Sequence, residues 1–152
     1  MSPTDGRLAA AWQAALAAEH QACFGYPLLG PHLDRPGQTL AAACEAAHQA
    51  LRDTTEATLQ AAALTPVAAL ADYPSLYPVP DAAAARRLAV RLEDACAQAW
   101  RYLYLRAAST ADQRAAALRT TASHALTASA VRATRWRAAL DPQHATQPFP
   151  GT

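Results

Sequence analysis

Hydrophobic and polar positions alternate at helical spacing along most of this chain. In the first such stretch, apolar residues recur every three or four positions between Leu8 and Tyr26. This spacing predicts an amphipathic helix that runs to about Leu29. Pro27 should kink or end that helix, because proline has no backbone N–H to donate. The sequence Ser2-Pro3-Thr4-Asp5 is typical of a helix start.

Three further stretches show the same periodicity. A second helix is predicted from about Gln38 to Ala63, and a third from the capping residue Asp81 to about Ala108. A fourth should follow the capping sequence Ser109-Thr110-Ala111-Asp112 and end at about Leu140, before Pro142. The second helix carries a stripe of core-facing positions: Leu40, Cys44, His48, Leu51, Thr55 and Leu59.

One long irregular segment, Leu64 to Pro80, separates the second and third helices. It contains four prolines and is longer than a compact helical hairpin needs. One long crossover between helices two and three is typical of ferritin-like folds. We therefore predict an all-α, ferritin-like four-helix bundle over residues 1–141, built from two helical hairpins joined by a long Pro-rich crossover. Residues 142–152 should form an extended tail that Phe149 pins to the bundle.

Composition supports the helical prediction and narrows the function. The chain of 152 residues contains 43 alanines and 13 arginines, and no lysine. Alanine is the strongest helix former. The formal net charge is +1, and no basic run suits nucleic acid. No apolar run is long enough to span a membrane, and the N-terminus lacks signal-peptide features, so we expect a cytoplasmic protein.

Glutamates near the middle of three predicted helices are the candidate chemistry. They are Glu19, Glu45 and Glu93, and Glu45 opens a Glu-x-x-His step that ends at His48. Mid-helix positions of a bundle lie at a similar height, so these side chains can meet. A site that binds two bridged metal ions takes one glutamate from each of two helices and Glu-x-x-His from each of the other two. The four residues are therefore candidate ligands for iron or manganese.

The fourth predicted helix does not complete this pattern. It has no Asp or Glu between Asp112 and Asp141, and offers only His124 and hydroxyl groups. One divalent ion bound by Glu19, His48 and Glu93 is one interpretation, and a site without metal is another. Converging ionised glutamates would repel one another, so a metal, an arginine or protons must then balance their charge.

The remaining polar and aromatic residues have less specific interpretations. Glu93 could instead pair with Arg86 or Arg87 near the surface. His20 follows Glu19 directly and is expected on the surface. The three cysteines have no metal-ligand or disulfide spacing and are expected to be buried thiols. Aromatic side chains on the helices, namely Tyr26, Trp100 and Trp136, are expected to fill the core.

Five stretches of the chain resemble a known family of small actinobacterial ferritin-like domains. They are residues 18–26, 48–53, 88–96, 131–137 and 149–151. The resemblance implies a ferritin-like four-helix bundle, often dimeric, and carries no established reaction. A homodimer is therefore expected.

Three functions compete at this point. The first is a bundle whose incomplete carboxylate and histidine site binds one transition metal. The second is a non-catalytic interaction or dimerisation module without metal. The third is a di-iron oxidase, which needs a ligand from the fourth helix.

Overall fold

The computed structural model of the chain describes residues 3–110 and 113–152. Within these residues the backbone forms four α-helices and no β-strand, so the all-α prediction is confirmed. The helices are α1 (Pro3–Gly25), α2 (Arg35–Ala61), α3 (Ala82–Ala108) and α4 (Gln113–Leu140). The capping roles predicted for residues 2–5 and 109–112 involve Ser2, Ala111 and Asp112, which lie outside the described residues.

The helix ends follow local chemistry, with two corrections to the predicted boundaries. α1 ends at Gly25 rather than near Leu29, and short 3-10 helices at Tyr26–Leu28 and Gly30–His32 continue the chain. α2 begins at Arg35 rather than Gln38. The cause is Asp34, whose side chain accepts a hydrogen bond from the backbone N–H of Gly37 at 3.0 Å.

Antiparallel packing relates α1 to both α2 and α3. Glu19 contacts Trp100 of α3. Tyr26 follows Glu19 in the sequence but contacts Glu93, which precedes Trp100, so the two segments run in opposite directions. α3 and α4 form the most extensive helix pair. They are also antiparallel, because Arg137 pairs with Asp94 while Arg119 bonds the carbonyl oxygen of Ala107.

α2 and α3 run in the same direction. The cap residue of α2, Asp34, lies 3.5 Å from Arg86 in the first turns of α3. His48 near the middle of α2 contacts Glu93 near the middle of α3. Two consecutive helices can be parallel only if their connection returns the chain along the bundle. The structure therefore confirms two helical hairpins joined by a long crossover.

The crossover lies along α1 and is held by side chains of that helix. Gln13 donates to the carbonyl oxygen of Thr65 and accepts from the N–H of Val67, both at 2.8 Å. The imidazole of His20 lies 2.9 Å from the carbonyl oxygen of Val67. His20 is only 5% exposed, so its predicted surface position is wrong: the crossover covers it.

The tail lies back on α3 through Gly151. A Cβ atom at this position would approach the carbonyl oxygen of Ala97 to 2.8 Å, and its φ is +76°, a backbone conformation that glycine adopts at little cost. Phe149 is 73% exposed. The prediction that Phe149 pins the tail is therefore wrong, because the close approach at Gly151 does so.

No helix among the described residues is long and apolar enough to cross a membrane.

Candidate functional site

A fully buried histidine joins two fully buried glutamates at the centre of the bundle. His48 of α2 places Nδ1 at 2.6 Å from Oε2 of Glu19 on α1. Its Nε2 lies 3.1 Å from Oε1 of Glu93 on α3. Because both ring nitrogens face carboxylate oxygens, both must donate, and the ring is an imidazolium.

Aromatic donors complete the hydrogen bonding of the two carboxylates. Trp100 donates its indole N–H to Oε1 of Glu19 at 2.6 Å. Tyr26 donates its hydroxyl to Oε1 of Glu93 at 2.5 Å and accepts from the indole N–H of Trp136 at 3.1 Å. The three aromatic residues fill the core, as predicted, and each also carries a polar contact that orients the cluster.

α4 contributes a cation to the cluster. The Nε of Arg132 donates to Oε1 of Glu93 at 2.9 Å, and one terminal nitrogen donates to the hydroxyl of Ser129 at 3.1 Å. Arg132 is 13% exposed, and Ser129 is buried. The cluster thus contains two carboxylates, one imidazolium and one guanidinium, so its charges balance without any further ion.

The electrostatics of the cluster favour this protonation state. Burial by itself would lower the pKa of His48, but the hydrogen bonds and charges of Glu19 and Glu93 outweigh it. They raise the pKa of His48 from its ordinary 6.5 to about 9. Burial would raise the pKa of Glu93, yet its contacts with His48, Arg132 and Tyr26 lower it. At neutral pH the imidazolium and the Glu93 carboxylate are therefore both charged.

One oxygen of Glu93 differs from the rest. Oε1 accepts from Tyr26, His48 and Arg132, whereas the buried Oε2 has no hydrogen-bond partner within the described part of the chain. A buried carboxylate oxygen without a donor is unusual. Within the cluster, this oxygen is therefore the most favourable atom for binding a cation or for accepting a hydrogen bond from a water molecule.

The thiol of Cys96 lies at the edge of the cluster. Its sulfur, an oxygen of Glu19 and a ring nitrogen of His48 lie within 4.8 Å of one another. Burial, followed by the charges of Glu19 and Glu93, raises the thiol pKa well above its ordinary value. Cys96 is therefore a neutral thiol, and it contacts the carbonyl oxygen of Ala18 at 3.5 Å. Cys44 is also buried, and Cys23 is half-buried, and none of the three forms a disulfide.

The structure brings together three of the four predicted site residues. Glu19, His48 and Glu93 meet, and the alternative pairing of Glu93 with Arg86 or Arg87 is wrong. Glu45 is half-exposed and accepts a hydrogen bond from Gln49 at 3.0 Å. Cys44 and His48 occupy the inward face of α2, so Glu45 points to one side of it. His124 is exposed.

These residues do not fit a two-metal centre. Such a centre takes carboxylate or imidazole ligands from all four helices, and the α4 side chains facing this cluster are Ser129, Arg132 and Trp136. A guanidinium has no lone pair to offer and repels a cation. One ion remains compatible with the ligand types, because Glu19, His48 and Cys96 offer an oxygen, a nitrogen and a sulfur.

Sequence reasoning anticipated the charge balance but did not identify Arg132. A usable signal was present in the periodicity of α4. Ala125, Ser129, Arg132 and Trp136 recur at steps of three or four, and an arginine on such an inward stripe indicates a buried ion pair.

Comparisons with known proteins agree with this helical fold. The profile of a domain of unknown function, DUF4439, matches residues 11–152. The crystal structure of a conserved hypothetical protein from Mycobacterium tuberculosis is 37% identical to this chain, with a TM-score of 0.80. The match covers 88% of this chain and 97% of that one. No curated protein matches closely enough to transfer an activity. The chain belongs to the DUF4439 family.

Proposed function

We propose that this protein is a ferritin-like bundle without a metal cofactor, and that it acts as a non-catalytic binding module. The hydrogen bond between Arg132 and Glu93, 2.9 Å long, is the observation that carries the proposal. It places a fixed positive charge on the carboxylate that a metal would need. Parallel α2 and α3 with a long crossover support the ferritin-like architecture.

The geometry around His48 supports the same conclusion. Two ligands about 2.1 Å from one ion, at tetrahedral or octahedral angles, are separated by about 3.0–3.4 Å. The 2.6 Å between Nδ1 of His48 and Oε2 of Glu19 is shorter, and it is closer to the roughly 2.7–2.9 Å of a charge-assisted N–H···O hydrogen bond. A metal bound through Glu93 would have to remove a proton from His48 and displace the guanidinium of Arg132. An ion bound through Glu19, His48 and Cys96 would have to remove protons from both His48 and Cys96.

One divalent ion is a second candidate, which the closeness of Glu19, His48 and Cys96 favours. A mixed oxygen, nitrogen and sulfur set suits zinc better than a pair of irons. Binding would require the thiolate of Cys96, whereas burial raises the pKa of that thiol. This makes the metal-free proposal the stronger of the two.

Metal counting tests the two candidates. Purified protein is incubated in turn with Fe(II), Mn(II) and Zn(II), excess ion is removed, and bound metal is measured by elemental analysis. We expect far less than one ion per chain, because His48 and Arg132 already neutralise the carboxylates. Glu19→Gln is the matched control. One ion per chain in the natural protein, lost in Glu19→Gln, would contradict the proposal, whereas equal uptake by both indicates binding elsewhere.

A binding module must act through its surface. Large apolar side chains are exposed on the crossover (Leu70), on α4 (Val131) and on the tail (Phe149), and a partner would cover those of them that form a contiguous patch. The homodimer expected from the family resemblance remains a prediction. Light scattering of the native protein should give the mass of two chains, and a mass near 16.0 kDa at high concentration would contradict it.

A further inference from the structure

Ser129 and Arg132 of α4 form a pair directed at the centre of the bundle. They are three residues apart, so both lie on the same face of the helix. The guanidinium of Arg132 bonds both the hydroxyl of Ser129, at 3.1 Å, and the carboxylate of Glu93, at 2.9 Å. The pair therefore reaches the cluster from α4, whose residues Gln113–Leu140 include no Asp or Glu.

The spacing of this pair equals that of a Glu-x-x-His step. In four-helix carboxylate sites, two of the four helices carry such a step facing inward. We propose that Ser129 and Arg132 occupy the positions of the missing ligand pair, and that Arg132 supplies the positive charge that a metal would otherwise supply. The inference rests on the proposed metal-free function and identifies the residues responsible for it.

The contacts of Glu93 support this assignment. Its Oε1 accepts three hydrogen bonds, one of them from Arg132, while its buried Oε2 has no partner among the described residues. With Arg132 removed, Oε1 loses one of its two cationic donors. Oε1 would keep Tyr26 and His48 as donors, and Oε2, which is unpartnered within the described residues, would be open to a cation at the centre of the bundle.

Restoring the ligand pair should therefore create a metal site. In the double variant Ser129→Glu with Arg132→His, α4 would add a carboxylate and an imidazole to Glu19, His48 and Glu93. Co(II) is the probe, because its visible absorption reports nitrogen and oxygen ligands. We expect about one Co(II) per chain by elemental analysis, with a visible absorption band, against none in the natural protein.

A matched control exists on the outer face of the same helix. Thr121 and His124 are both exposed, and Thr121→Glu gives the same three-residue step ending at His124, away from the cluster. This variant should bind no Co(II) that survives removal of excess ion, because Glu19, His48 and Glu93 are out of its reach. Equal uptake by this control and the double variant would overturn the proposal.

Folding of the double variant is monitored by circular dichroism. If it is folded, its thermal unfolding midpoint should rise on addition of Co(II), while that of the natural protein should not. If it is unfolded without metal, refolding in Co(II) should restore the helical spectrum, because metal binding is coupled to folding. A variant that takes up no Co(II), folded or refolded, overturns the inference. Metal in the natural protein would instead contradict the proposed function.

Discussion

Replacement of His48 by leucine is expected to destabilise the protein by about 3–5 kcal/mol. The imidazolium is the shared donor to Glu19 and Glu93, at 2.6 and 3.1 Å. Leucine is similar in volume and leaves no large cavity, so the loss arises from two buried carboxylates deprived of their cation. Urea denaturation followed by circular dichroism at neutral pH measures the change in the free energy of unfolding.

His124→Leu is the matched control for this variant. It makes the same substitution at an exposed position of α4, where it should change stability by no more than about 0.5 kcal/mol. A loss below about 1 kcal/mol for His48→Leu would show that the glutamates are satisfied without the imidazolium. The charge balance assigned to the cluster would then be incorrect.

The free energy of unfolding should fall by about 3 kcal/mol as pH rises from 6.5 to about 9. The folded protein holds the proton on His48 more tightly than the unfolded chain, because the pKa of His48 is raised from 6.5 to about 9. The resulting stabilisation is fully present below pH 6.5, decreases above it, and is lost as pH passes through about 9. Urea denaturation across this range measures the decline.

His48→Leu identifies the group responsible for this pH dependence. Its stability should not show the decline between pH 6.5 and about 9, because the titrating imidazole is absent. Burial also raises the pKa of all three cysteines above the ordinary 9.0. Their ionisation in the unfolded chain lowers the stability of both proteins only as pH approaches and passes 9, so it does not explain a decline that begins near pH 6.5. A decline of the same size in both proteins would exclude His48 as its source.

The fold was predictable because its determinants are local. Helical periodicity, the cap at Asp81 and the prolines between Leu64 and Pro80 each specify structure within a few residues. The cap at Asp34 is equally local, and it accounts for the start of α2 at Arg35 rather than at the predicted Gln38. His20 is different, because it is buried by the crossover, which is distant in sequence. The periodicity of one helix does not show that a distant segment of the chain will pack over one of its residues.

From the sequence, the site residues could be predicted only where the face of a helix decides whether a side chain points into the bundle. Glu19, His48 and Glu93 meet because they lie at mid-height on inward faces. Glu45 does not join them, because Cys44 and His48 set the inward face of α2. The choice of Arg132 among 13 arginines depends on how α4 packs on α3 and on the reach of a long side chain. The spacing along α4 indicates that Arg132 faces inward, but it does not show that Glu93 is its partner.

The three donors to Oε1 of Glu93 also constrain the order in which the chain can assemble. They come from Tyr26, His48 and Arg132, which lie in three different helical segments. These residues are separated from Glu93 by 67, 45 and 39 positions in the sequence. No single hairpin contains them all. Until all three donors have docked, Glu93 must keep water as a partner, so the cluster can close only when the other helical segments have packed on α3. The core around Glu93 can therefore be buried at low energetic cost only in the fully folded bundle.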